Sequence, residues 1–281
     1  MGFFDRLAFG WRLGITSLGV VARDKTLMLF TILAGISGIL FSGAFIVGIG
    51  PEHFMQHTHQ MNDDNYTLAP AAYMLVFALY MALSFLAVYF NVALIGAAQQ
   101  SLNGKDTVLG DGFRVANQHL GKIFGWALLS GTVGILLNLL ESHDRLGRIV
   151  RSILGTAWAV ITYFVVPVMI FENQSPPAAI GRSISIMKST WGQNAGAQMG
   201  IGLLSTVLII VMTAVCFGAS ILIPHAGLVL APLLAVSIIA LFLAFMAAKA
   251  VLAVGLYEFA TKSGSGGVFK PEELQAAFQS K

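Results

Sequence analysis

Long apolar runs alternate along the chain with short segments that carry Lys and Arg. Between Thr190 and Ala248 there is no Asp, Glu, Lys or Arg. A single helix of that length would measure roughly 90 Å against a hydrocarbon core of about 30 Å, so the stretch is expected to fold back as two spans. Pro224, His225, Ala226 and Gly227 form the expected turn. Six runs are long enough to cross a bilayer: Leu27 to Gly50, Pro70 to Ala98, Ile123 to Leu140, Ser152 to Phe171, Ala197 to Ile223 and Leu228 to about Tyr257. The third is the shortest, and Gly125-Trp126 supplies it with an interfacial anchor.

Each pair of runs follows a segment that reads as a basic amphipathic helix, at Phe3 to Val21, Gly110 to Lys122 and Ala178 to Thr190. In the first, Phe4, Leu7, Trp11, Ile15 and Leu18 recur at three- and four-residue intervals, with Arg6 and Arg12 off that stripe. Such a helix suits the membrane interface. The expected fold is all-α: a polytopic membrane protein of six transmembrane helices in three hairpins, each preceded by a basic interfacial helix. One membrane domain would cover residues 1–281, with internal repeats at 1–98, 99–171 and 172–260. The returning spans echo one another in Tyr89-Phe90-Asn91-Val92-Ala93-Leu94 and Tyr163-Phe164-Val165-Val166-Pro167-Val168. The competing explanation is that all two-span hairpins with basic flanks look alike. A true repeat would make the pseudo-symmetric centre the natural place for a site.

Composition agrees with the pattern. Of the 281 residues 57% are apolar and 10% charged, where soluble domains run near 25% charged, and no room remains for a large soluble domain. A net charge of +3 could point to nucleic acid. The Lys and Arg, however, sit beside apolar runs, where membrane lipids are the expected partner and nucleic acid is not. Twelve of these residues fall on alternate segments, in the N-terminus (Arg6, Arg12, Arg23, Lys25), the second and fourth loops (Lys105, Arg114, Lys122; Arg182, Lys188) and the tail (Lys262, Lys270, Lys281). The positive-inside rule then places both termini in the cytoplasm. Arg145, Arg148 and Arg151 run against it, in one tight external connection. Lys249 lies near the cytoplasmic end of the last span, from which it can snorkel to the headgroups. The single cysteine, Cys216, excludes an intrachain disulfide. No cleavable signal is expected, because the first apolar run is long and no small-residue cleavage site follows it.

Phe3-Phe4-Asp5-Arg6-Leu7, Gly10-Trp11-Arg12, Phe90-Asn91-Val92-Ala93-Leu94-Ile95-Gly96-Ala97-Ala98, Gly110-Asp111-Gly112, Phe164-Val165-Val166-Pro167 and Trp191-Gly192 together carry a resemblance. The chain resembles an uncharacterised prokaryotic six-span integral membrane family, a domain of unknown function. The resemblance covers nearly the whole chain and implies no catalytic residue. The His- and Met-rich first loop stands outside that pattern.

Within this loop His53 and His57 would share a helix face, and His59 or Asp63 could complete an N/O site for zinc or copper. A solvated polar loop explains the same residues, and no cofactor is expected beyond adventitious metal. Arg145, Arg148 and Arg151 fit headgroup contact and local ion pairs, or an anion-attracting outer mouth of a homo-oligomer. Tyr80, Ser84 and Asn91 on the second span, and Asn194, Gln198 and Ser205 on the fifth, form polar stripes that must face protein or water. Interhelical hydrogen bonds and a polar pathway both account for them. Gly192, Gly196 and Gly200 form a row that allows close helix packing. Pro167 should kink the fourth span.

Enzyme motifs are scarce. Ser185-Ile186-Met187-Lys188 matches S-x-x-K without its companion motifs, and no P-loop, H-E-x-x-H, G-x-S-x-G or G-x-G-x-x-G occurs. Glu172 and Glu258 sit at span ends, where solvation is expected. The leading expectation is a non-enzymatic oligomeric membrane protein that forms a passive pathway for ions or small solutes. The alternative is a lipid-interacting scaffold or assembly factor in which Arg12, Arg114 and Arg182 bind headgroups. A third reading is extracytoplasmic metal binding by the first loop.

Overall fold

Lipid offers the backbone no hydrogen-bond partners, so apolar runs of this length form helices that satisfy their own N–H and C=O groups. The computed structural model describes residues 3–49, 70–141, 145–222 and 226–261. Its helices are α1 (Phe3–Arg23), α2 (Thr26–Ile49), α3 (Pro70–Leu102), α4 (Leu109–Gln118), α5 (Leu120–Glu141), α6 (Arg145–Ile161), α7 (Val165–Phe171), α8 (Pro176–Leu222) and α9 (Ala226–Thr261). No strand occurs among the described residues. Five segments are long and apolar enough to cross a membrane: Thr26–Gly48, Met74–Leu102, Leu120–Leu139, Gly147–Phe171 and Leu230–Thr261. The chain is an all-helical polytopic membrane protein. The described apolar part of α8 is the shorter stretch Gly202–Cys216.

The well-packed core lies at one end of the bundle, called here the base. It gathers Val92 to Ala98 of α3, Phe164 and Val165 to Met169 of α7, Ala250 to Phe259 of α9, and Leu13, Val20 and Val21 of α1. Toward the other end Ile39, Val47, Met74, Leu139, Val215 and Val236 are exposed, as suits side chains bathed by acyl chains. At the base, Asp24 accepts the Thr26 backbone N–H at 3.1 Å, capping α2, and also accepts the Thr107 hydroxyl. The Thr26 hydroxyl donates to the Thr107 carbonyl at 3.2 Å, which ties the α3–α4 connection to the start of α2.

Three expectations change. First, α1 is amphipathic, but it packs on its neighbours through a face other than the stripe assigned to the membrane interface. Gly10, Leu13, Gly14, Ser17, Val20 and Val21 are buried, against α8 and α9, while Trp11 and Leu18 are half-buried and Ile15 is 52% exposed. At about 100° per residue the two faces differ by roughly a third of a turn. Small residues let the helices approach closely, and that contact outweighs the larger side chains. Arg12 and Arg23 occupy a third, exposed face.

Second, the segment from Ala178 to Thr190 is no separate surface helix. It is the first part of α8, a helix of 47 residues and therefore roughly 70 Å long. No proline interrupts the chain from 178 to 223, so nothing in the sequence stops the helix. Ala179, Ser183, Ile186 and Met187 form its buried stripe at the base.

Third, Arg145, Arg148 and Arg151 do not lie in a connection, because α6 begins at Arg145 and carries all three in its first two turns. The fourth span is broken at Thr162-Tyr163-Phe164, between α6 and α7. Pro167 falls in the first turn of α7, where it cannot donate the bond that would carry the helix across Tyr163. Ser183, fully buried on α8, takes over: its hydroxyl donates to the Ile161 carbonyl at 2.5 Å and accepts the Phe164 N–H at 3.2 Å.

Candidate functional site

Of the stripe Tyr80, Ser84 and Asn91 on α3, the first two are engaged in helix contact. The Ser84 hydroxyl donates to the Ala127 carbonyl of α5 at 3.3 Å. Tyr80 lies over Gly134, where an added Cβ would come within 2.5 Å of its hydroxyl, and Met81 lies over Gly131. The glycines of α5 thus receive the large side chains of α3. On α8, Ser205 donates to its own helix at Gly202 with a distance of 2.7 Å. Asn194 and Gln198, with Gly192, Gly196 and Gly200, fall on α8, but their side chains lie outside the described residues.

Asn91 continues the α3 stripe into a cleft of about 610 Å³ between α2, α3, α9 and the α6–α7 break, with Trp126 of α5 on its wall. Helical periodicity builds each side, with Ala87, Asn91 and Leu94 from α3, and Phe242, Met246 and Lys249 from α9. The lining is mostly apolar. Of its polar groups, the Thr31 hydroxyl donates to the Met28 carbonyl at 2.8 Å and approaches the Leu243 carbonyl at 3.4 Å; Thr162 donates to the Trp158 carbonyl at 2.7 Å. Asn91 and Lys249 are exposed in the cleft, and neither side chain is hydrogen-bonded among the described residues. No acidic side chain lines the cleft among those residues.

The base holds a polar network that sequence reading missed. Glu258, expected to be solvated, is only 2% exposed and accepts Gln99 Nε2 at 3.2 Å. Glu172 receives Arg182 Nε on both carboxylate oxygens, at 3.0 and 3.1 Å, and the Tyr257 hydroxyl at 3.1 Å. Lys122 donates to the Asn173 side chain and, at 3.4 Å, to the Met169 carbonyl. Asn173 has a φ of 56°, a left-handed position that Asn tolerates, and it ends the stretch after α7. These bonds join α3, α5, α7, α8 and α9. The signal available in the sequence was the adjacency of Gln99 and Gln100 at the end of one span and of Tyr257 and Glu258 at the end of another.

Of the basic residues expected at headgroups, Arg114 pairs with Asp111 and Arg182 with Glu172. Arg12 is exposed with no side-chain partner among the described residues. At the far end Arg148 is exposed, and Arg151 donates to Asn138 of α5 at 2.7 Å, pinning the start of α6 to its neighbour. The side chain of Arg145 lies outside the described residues, as do His53, His57, His59 and Asp63. No group of three metal-ligating side chains occurs among the described residues.

An all-helical membrane bundle with a packed, hydrogen-bonded base and an open cleft among its spans defines the class. A family model covers residues 70–267, and the chain belongs to that family, a family of unknown function (DUF6159). No curated protein and no solved structure matches the chain.

Proposed function

We propose that the protein is a non-enzymatic, lipid-interacting helical platform of the bacterial cytoplasmic membrane, with its base on the cytoplasmic side. The observation that carries this reading is the division of α1 into three faces. One packs on α8 and α9, one carries the exposed Ile15 between the half-buried Trp11 and Leu18, and one offers Arg12 and Arg23 outward. A helix so divided rests at the boundary between hydrocarbon and headgroup, with its basic face toward anionic lipid. Engagement of Tyr80 and Ser84 in packing favours this reading over the passive pathway.

In this reading α8 is the sixth crossing. Its start lies at the base, through Arg182 and Glu172, and the end of α9 lies there too, through Glu258 and Gln99. Only residues 223–225 separate α8 from α9. A helix joined so closely to the far end of a returning span has to travel as far as that span.

Each Lys or Arg near an anionic surface contributes about 1 kcal/mol, so changing both Arg12 and Arg23 to Gln should weaken anionic-lipid binding by roughly tenfold or more. The measurement is retention of phosphatidylglycerol against phosphatidylethanolamine on the purified protein at low salt. Equal retention by wild type and the double variant would overturn the proposal. Sustained ion or solute flux through reconstituted protein would instead favour the pathway.

A further inference from the structure

Lys249 lies 12 residues from the end of α9, so its backbone sits about 18 Å along the helix from Thr261, inside a segment otherwise apolar enough to span the membrane. An ammonium at such a depth calls for an anion or for water. The cleft offers no carboxylate among the described residues, and Asn91 opens into the same space with its amide unengaged. The protein thus lines one apolar cleft with a cation and an amide donor, and neither has a hydrogen-bond or ion-pair partner among the described residues.

The volume admits a long chain. A methylene fills roughly the volume of a water molecule, about 30 Å³, so 610 Å³ holds about 20 such units. That is room for one acyl chain with its head, in a cleft that is open rather than enclosed. A carboxylate at the end of such a chain can accept from Lys249 Nζ and Asn91 Nδ2 together, in the charge-assisted geometry that both groups favour. The chain would then run along Trp126, Phe90 and Met246. We propose that this cleft binds a long-chain fatty acid, its carboxylate held by Lys249 and Asn91. The site is separate from the α1 face and does not depend on Arg12 or Arg23.

Trp126 on the cleft wall provides the readout, once Trp11, Trp158 and Trp191 are replaced by Phe so that acyl contact elsewhere does not quench. Full-length protein in detergent or nanodiscs is titrated with 9,10-dibromostearic acid, whose bromines quench tryptophan on contact. Saturable quenching near one equivalent is expected, at least tenfold weaker in Lys249→Met and weaker in Asn91→Leu, with the brominated methyl ester inactive. Both substitutions make the spans more apolar. A melting temperature in Lys249→Met equal to that of its single-tryptophan parent shows that weaker quenching comes from the lost charge. Should either variant fail to fold, the methyl ester on the single-tryptophan parent remains decisive, because it removes the anion while leaving the chain intact. Equal quenching by acid and ester overturns the proposal. So does saturable quenching by brominated phosphatidylglycerol that oleate fails to displace, which would make the occupant a phospholipid. Loss of phosphatidylglycerol retention in the Arg12/Arg23 variant with fatty-acid quenching intact separates failure at one site from failure at the other.

Discussion

At the scale of single residues, the base is governed by close approach. Gly112 on α4 has no room for a side chain: a Cβ would lie 2.6 Å from the Ala93 carbonyl oxygen and would overlap the Phe30 ring. Phe30 is fully buried and meets Phe113 edge-on with centroids 5.4 Å apart, so it has nowhere to move. Gly112→Ala should therefore destabilise the protein by about 1–3 kcal/mol, the cost of overpacking a filled core. Two residues earlier on the same helix, Gly110 has nothing within 4 Å of the place a Cβ would take. Gly110→Ala should be neutral or stabilising by up to about 1 kcal/mol through helix propensity alone. Thermal unfolding of the detergent-solubilised variants reads both; a Gly112→Ala midpoint equal to that of Gly110→Ala would refute the packing argument. The Gly110-Asp111-Gly112 motif thus contains one glycine that packing requires and one that it does not.

At the scale of elements, the α6–α7 break depends on a neighbouring helix. Ser183 supplies the hydrogen bonds that a continuous helix would have made for itself, and it is fully buried. Ser183→Ala should cost about 1–3 kcal/mol by leaving Ile161 C=O and Phe164 N–H unsatisfied in an apolar setting. Ser185, exposed on the same helix, should tolerate Ala within about 0.5 kcal/mol. Equal thermal midpoints for the two variants would show that the break holds itself together. The sequence did announce this break, because a proline in an apolar run has a definite backbone consequence. It also announced the spans, because hydrocarbon thickness sets a length that composition must match. The seam of α1 was not legible: Gly10, Gly14 and Ser17 carry no hydrophobic signal, and their burial comes only from how near α8 and α9 can come. The extent of α8 was misread for a related reason. Charge changes along that helix at Thr190, but backbone preference does not, and the change of medium was taken for an end. Asn91 and Lys249 were both visible as polar groups in apolar spans, yet the gap between helices that joins them into one cleft is a tertiary fact.

At the scale of the whole molecule, the bundle buries its core at one end and exposes apolar side chains at the other, and the functional reading depends on which side each faces. The polar network at the base links five helices through Glu258, Glu172, Lys122 and their partners, so that end behaves as one body. The number of crossings follows from parity. If α8 crosses, the chain passes the membrane six times and both termini share a side; if it does not, they lie on opposite sides. In the proposed arrangement a cysteine at Lys25 or Asn103, both exposed at the base, reacts with a membrane-impermeant maleimide only after permeabilisation. A cysteine at Arg148, exposed at the far end, reacts in intact cells, and a reporter fused after Lys281 behaves like Lys25. Cys216 is replaced by Ala as background. Labelling of Lys25 and Asn103 from outside would invert the orientation and carry the basic face of α1 away from the leaflet that the proposed function needs. A C-terminal reporter on the side opposite Lys25 would leave an odd number of crossings. The expected outcome is a reporter on the same side as Lys25, because the start of α8 and the end of α9 both contact the base, through Glu172 and Gln99.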